Sequence, residues 1–238
     1  MESTADGALS DWFEGPLGTR VLREEAALAT LALETVFGFE LLQVGAWGPA
    51  RHWLAGARTQ HTTLLAPELT PGVTLCAPLD SLPFRSDSID AILLPHTLEL
   101  VEDPYAVLRE AERVLTGEGC LMICGFNPFS GWGARRVFGR SIGRPPFPPH
   151  TQRMLSERRL RDWVALLGFD VDSVHGYLGF LPLAGALSEV HPRRALTAGA
   201  YLLKARKRVS TLTLVRPRRR VRQRVLVGAA EPTNKVRP

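Results

Sequence analysis

The sequence predicts an α/β protein, a sandwich of helices around a mainly parallel sheet, and three observations carry that expectation. After an opening helix, strand-type and helix-period segments alternate through most of the chain. The strand-type segments are short, nearly continuous apolar runs, as strands buried on both faces require. With 238 residues, 45% of them hydrophobic, the chain can bury one large core without disulfides or a structural metal. Gly (21) and Pro (18) follow no period and only three cysteines occur, which excludes collagen-like, low-complexity and disulfide-scaffold classes. No apolar run reaches the roughly 18 residues of a membrane span. The opening MESTADGALSDW lacks the basic and apolar regions of a signal peptide, so a cytoplasmic location with reduced thiols is expected.

The elements follow in order. Residues 17–37 place Leu17, Val21, Leu28, Leu31, Ala32 and Val36 at helical spacing, and Gly38 is the expected stop. An apolar strand at 40–45 runs into Ala46-Trp47-Gly48-Pro49, followed by an expected helix at 50–57. Short strands are expected at 61–66, 73–76 and 89–94. Asp103-Pro104 then opens a helix to Leu115, with Asp103 as N-cap, Pro104 at the first helical position, and Val107, Leu108, Ala111, Val114 and Leu115 as the buried stripe. Thr116 to Gly119 reads as its stop and 120–125 as a buried strand. A Gly-, Pro- and aromatic-rich loop is expected through His150. Ser156 caps a second amphipathic helix that buries Leu160, Trp163, Val164 and Leu167 and ends at Gly168. Strands at 169–174 and 200–204 close the domain, joined by a long connection.

At residues 79–119 the order becomes specific: LDSLPF, SIDAILLPHTLELVEDP, REAERVL and TGEGCLMI. This stretch resembles the class I S-adenosylmethionine-dependent methyltransferases, in particular the type 11 methyltransferase domain family. GFNPFSGWG (125–133) and RDWVALLGF (161–169) are similar to a bacterial subgroup with a degenerate glycine motif. The resemblance implies a Rossmann-like three-layer α/β/α sandwich on a mainly parallel seven-stranded sheet whose last strand is antiparallel. The strands at 40–45, 89–94 and 120–125 would be its first, fourth and fifth, and those at 169–174 and 200–204 its final pair. It further implies an S-adenosylmethionine cofactor and methyl transfer to an unidentified small or macromolecular acceptor. The incomplete glycine signature separates the chain from nicotinamide-dependent Rossmann oxidoreductases.

Ligands of such sheets sit beyond the carboxyl ends of the strands at the switch point. The cofactor-binding candidates implied are Gly45, Trp47 and Gly48 in the first turn, Asp80, Ser81 and Leu82 before Pro83-Phe84, and Pro95 after the fourth strand. Trp47 and Pro49 stand where the family has glycines, and the second strand carries no acid at its end, Glu68 following only after Pro67. These departures motivate the alternative of a catalytically inactive binding or scaffold protein. Asp80 either faces adenine or organises an Asx-type turn. His96 is the candidate general base, since imidazole titrates near neutral pH, or else it is hydrogen-bonded within the sheet end. Asn127 is a candidate for orienting the acceptor, with Phe126, Phe129 and Trp132 either walling a pocket or packing over the sheet. Residues 135–152 and 176–199 would supply a lid. The spacing of Cys120, Cys124 and Cys76 matches no metal-ligand pair, and no metal is expected.

The expected organisation is an N-terminal helical segment at 1–38, the methyltransferase-like domain at 39–208 and a basic tail at 209–238. From Lys204 onward, 12 Lys/Arg face the single acid Glu231, a net +11; the whole chain is +5, leaving residues 1–203 at −6. The run Arg216, Arg218, Arg219, Arg220, Arg222 and Arg224 is suited to phosphates of nucleic acid or to an anionic surface, or else is a solvated, disordered extension.

Overall fold

A computed structural model describes residues 12–46, 51–141, 151–178 and 198–209. Helix α1 (Pro16–Leu33) starts with Pro16 in its first turn and buries Val21, Leu22, Leu28, Ala29 and Leu33. It stops four residues short of the expected end, because Val36 folds back into the core while Phe37 is exposed. Gly38 therefore serves the entry to β1 (Glu40–Val44), where the Asp90 carboxylate accepts from the amides of Phe39 and Glu40 at 2.7 and 3.0 Å. A single 3-10 turn, His52–Leu54, replaces the helix expected at 50–57. The chain there is pressed against α1: a Cβ on Gly56 would lie 2.6 Å from the Thr30 Cα.

The next elements are β2 (His61–Ala66), β3 (Leu75–Cys76), β4 (Ile89–Pro95), the short α2 (Thr97–Leu100) and α3 (Pro104–Val114). Asp103 caps α3 as the sequence predicts, accepting from Tyr105 and Ala106 amides at 3.0 and 3.1 Å. Strand β5 (Leu115–Phe126) begins earlier than expected. Leu115 pairs with Ile89 and Cys120 with Ala91, so Thr116 to Gly119 bulge out of the ladder, with Glu118 at φ 66°. The predicted turn exists, but inside the strand.

Helix α4 (Gly131–Ser141) falls where the sequence predicts a loop. Its glycines mask the helical signal, yet one of them permits the packing: a Cβ on Gly133 would lie 1.9 Å from the Pro128 carbonyl oxygen. Ser130 starts it by accepting from the Trp132 amide at 3.2 Å. Helix α5 (Glu157–Leu166) is capped by Ser156 and followed by Gly168 at φ 86°, as expected. Strands β6 (Phe169–Tyr177) and β7 (Ala200–Lys207) are longer than predicted. Residues 142–150 and 179–197 of the two expected lid segments, and the tail beyond Val209, lie outside the described residues.

The seven strands run β3-β2-β1-β4-β5-β7-β6, parallel except for β7, which is antiparallel to both β5 and β6. Strands β1, β4 and β5 are almost wholly buried, which explains their unbroken apolar sequence. Reversal of β7 brings its first residue, Ala200, opposite both Phe126 and Tyr177. One edge of the sheet thus gathers the carboxyl ends of β1, β4, β5 and β6. Replacing Asp103 by Ala is expected to cost about 1 kcal/mol of stability through loss of the α3 cap, measured as a lower urea midpoint with unchanged slope.

Candidate active site

The first turn is built from backbone. Gly45 is buried at φ 97°, a conformation glycine adopts without a Cβ penalty, and its amide extends the β1–β2 ladder to the Leu65 carbonyl at 2.8 Å. The preceding inward amide, Gln43, is fully buried and donates to the Gly45 carbonyl at 2.9 Å. Its Oε1 has no hydrogen-bond partner among the described residues. Trp47 and Gly48 lie outside the described residues. The Thr97 hydroxyl donates to the Val44 carbonyl, tying the end of β1 to the turn after β4.

The loop after β3 exposes Asp80 and Ser81 and buries Leu82. Two side chains one turn apart on α3 hold it. Glu110 accepts from the Leu82 amide at 3.0 Å, and Arg113 donates to the carbonyls of Leu82 and Phe84, both at 3.0 Å, while paired with Glu110 at 2.8 Å. The guanidinium beside it holds the Glu110 carboxyl below its ordinary range. The E-x-x-R of REAERVL is therefore the latch of the LPF loop, since only a planar fork reaches a carboxylate and two carbonyls at once.

At the ends of β4 and β5 lies a buried ionic cluster. His96, in the left-handed region at φ 54°, ends the strand and directs its ring inward, where the residue is only 2% exposed. Its Nε2 donates to Glu25 Oε1 at 2.6 Å and its Nδ1 to Glu99 Oε2 at 2.7 Å. Glu25 also accepts from the Tyr177 hydroxyl at 2.7 Å and the Trp53 indole at 2.9 Å, and Glu99 from the Phe126 amide at 2.8 Å. Phe126 stacks on the imidazole with centroids 4.3 Å apart, and Trp132 stacks on Phe126 at 5.4 Å. Burial alone would push the His96 pKa down, but the two carboxylates outweigh it and hold the value up at about 10. Burial pushes the Glu99 carboxyl and the Tyr177 phenol up.

This geometry departs from the general-base expectation for His96. An imidazolium donating from both nitrogens has no lone pair to receive a proton. Asn127 is similarly engaged: its Nδ2 donates to the Ala198 carbonyl and its Oδ1 accepts from the Phe129 amide, both at 3.0 Å, so the side chain joins the β5 turn to the start of β7. Pro95 is buried at the end of β4, and the next amide, that of His96, donates to Cys124 at 3.1 Å. Gly45, Pro95, His96 and Asn127 thus end neighbouring strands, whereas Asp80 and Ser81 arrive from the loop after β3. Sequence reasoning missed Glu25, Tyr177 and the latch pair. A legible signal existed for Glu25: Val21, Leu22, Leu28 and Ala29 put it on the inward face of α1.

Two predictions follow from these contacts. Arg113→Lys, which cannot serve both carbonyls and Glu110, is expected to speed hydrogen exchange at the Leu82 amide about tenfold, the loss of roughly one charged hydrogen bond. Because the folded chain holds the His96 proton with a pKa of about 10 against an ordinary 6.5, this group's contribution to stability is complete below about pH 6.5 and is lost as pH rises toward 10. Glu99, also raised, acts in the same direction. Thermal unfolding should therefore show stability falling with pH across that window, by at most about 1.4 kcal/mol per pH unit for the one proton, and His96→Gln should flatten the slope.

Residues 49–123 match the family model described as a methyltransferase domain, a match that begins beyond Gly45 and ends inside β5. Over 205 residues the chain is 34% identical to the uncharacterized protein YafS of Escherichia coli K12, covering 84% of this chain and 82% of that one. Over 75 residues it is 36% identical to the malonyl-[acyl-carrier protein] O-methyltransferase of Halorhodospira halophila, spanning 32% of this chain and 25% of that enzyme. In fold it is similar to an S-adenosylmethionine-dependent methyltransferase of Thermotoga maritima, described as a possible histamine N-methyltransferase. There the TM-score is 0.66 at 19% identity, over 87% of this chain and 100% of the other. Together with the reversed β7 and the Gly45 turn, these likenesses place the chain in the type 11 family of class I S-adenosylmethionine-dependent methyltransferase domains.

Proposed function

We propose that the protein is an S-adenosylmethionine-dependent methyltransferase whose cofactor lies across the carboxyl ends of β1 and β4. The observation that carries this reading is the buried, positive-φ Gly45 turn at the end of β1, beside the point where the strand order reverses. The residues around it fit the group: Gln43 keeps a buried carbonyl oxygen without a partner among the described residues, suited to an ammonium donor. Gly45 and Gln43 would hold the methionine end, with Trp47 and Gly48 next in the turn, Pro95 at the end of β4, and Asp80, Ser81 and Leu82 at the adenine. The cofactor supplies a methyl carbon already activated on a sulfonium, so the chain has mainly to align the acceptor and exclude water. In this scheme His96 and Asn127 position the turns after β4 and β5, and Phe126 and Trp132 wall the cleft; neither polar side chain moves the acceptor's proton.

A second reading, a binding or scaffold protein without turnover, is favoured by β2. It ends at Ala66 with no carboxylate for the ribose hydroxyls, and Glu68 is exposed beyond Pro67. Titration calorimetry with S-adenosylmethionine and S-adenosylhomocysteine tests the shared premise. Binding of both, weakened at least about tenfold by Gly45→Val through strain at positive φ, is expected. No heat with either ligand at millimolar concentration would defeat both the enzyme and a nucleoside-binding scaffold.

A further inference from the structure

Counting protons on the buried cluster of Glu25, His96 and Glu99 gives it a definite net charge. Each of the two imidazole contacts, to Glu25 at 2.6 Å and to Glu99 at 2.7 Å, holds one proton. Two carboxylates and a doubly protonated ring sum to −1, and moving a proton from nitrogen to oxygen within either contact leaves that sum unchanged. No further proton fits on the carboxyls. The Tyr177 hydroxyl and Trp53 indole donate to Glu25 and the Phe126 amide to Glu99, and all three donors are neutral.

The charge is also uncompensated. Among the described residues the buried acids are Glu24, Glu25 and Glu99, and Glu24 has its own cation, Arg20, at 2.9 Å. Three neighbouring strands register the excess. Burial first, and then the negative charge of Glu25, pushes up the Cys124 thiol on β5 and the Tyr177 phenol on β6; burial and then Glu99 push up the Tyr201 phenol on β7.

The cluster stands at the edge where the ligand would lie. Gln43 of β1 pairs with Leu93 of β4, so Gly45 and Pro95 come level two residues further on, and His96 directly follows Pro95. The Thr97 hydroxyl bonds the Val44 carbonyl across the same junction. Strand β2 brings no acid to this edge, since it ends at Ala66 and Glu68 is exposed. S-adenosylmethionine carries a sulfonium, an ammonium and a carboxylate, a net positive charge. Its demethylated product, S-adenosylhomocysteine, has lost the sulfonium charge and is neutral overall. A buried negative charge, weakly screened, attracts the first and is nearly indifferent to the second.

We propose that the Glu25–His96–Glu99 cluster is a fixed negative charge that makes the cleft prefer the cationic methyl donor over its neutral product. The inference rests on the cofactor reading above, and it requires no contact between the cluster and the ligand. Loss of the methyl group then weakens the hold on what remains, which favours product release.

The test is titration calorimetry of the full chain at pH 7 with S-adenosylmethionine, S-adenosylhomocysteine and sinefungin, in which a protonated amine on carbon replaces the sulfonium. In the unsubstituted protein both cationic ligands are expected to bind about tenfold tighter than S-adenosylhomocysteine, the scale of one charge interaction inside a protein. E25Q/E99Q keeps an acceptor oxygen on each side chain and removes both carboxylates, and the preference is expected to fall about tenfold. The unsubstituted protein decides alone if the double variant does not fold. Cationic ligands binding no tighter than S-adenosylhomocysteine, or a preference unchanged in folded E25Q/E99Q, would overturn this inference and leave the cofactor reading standing. Absence of heat with all three ligands would overturn both.

Discussion

A protonated imidazole buried between two carboxylates is the constraint on which the sheet's functional edge depends. Glu25 belongs to α1, His96 to the end of β4 and Glu99 to α2, so the cluster fastens three elements at one point. Isolated, each charge would be costly to bury; together they are tolerable only because the remaining valences are filled. The Tyr177 hydroxyl and Trp53 indole complete Glu25, and the Phe126 amide completes Glu99. The same contacts recruit the end of β6, the 3-10 turn and the end of β5. Glu24, the neighbour of Glu25, extends the strap by accepting from the Leu178 amide at 2.9 Å, where the backbone has a positive φ of 63°. Helix α1 is thus bound into the site edge by ionic contacts as well as by apolar packing.

The loop bearing Asp80 and Ser81 is held differently. Glu110 and Arg113 are partly exposed, and their grip is one of geometry, a fork closing on main-chain groups, with less at stake than in the buried cluster. A rigid edge at β4–β5 and a lighter latch at the LPF loop suit a cleft whose one wall is fixed and whose other wall adjusts. Gln43, whose Oε1 has no partner among the described residues, pairs with Leu93 of β4.

Local chemistry made much of the fold legible. The caps Asp103 and Ser156, the helix-ending Gly168 and the strand 61–66 are each set by neighbours within a few residues, and each falls where the sequence predicts. Misreadings came from tertiary context. Glycines needed for close packing hid α4, a bulge moved the start of β5, and Glu25 gains its meaning from a histidine 71 positions away. His96 shows the same limit, since residue type proposes a base while its partners, Glu25 and Glu99, are supplied only by the fold. Charge is redistributed too. Lys204 donates to the Ala32 carbonyl and Thr35, Arg206 pairs with Asp172, Lys207 with Asp87 and Glu112, and Arg208 with Asp170. Three of those cations lie in β7 and Arg208 directly follows it, leaving eight Lys/Arg against Glu231 in residues 209–238.

The central claim is the charge state of His96, and ring-nitrogen NMR of histidine-labelled protein reads it directly. Both nitrogens of His96 should be protonated, with shifts that stay constant from about pH 5 to 8, while an ordinary histidine titrates in that range. A neutral tautomer at pH 7, or a midpoint near the ordinary value, would contradict the account and return His96 to the role of a candidate base.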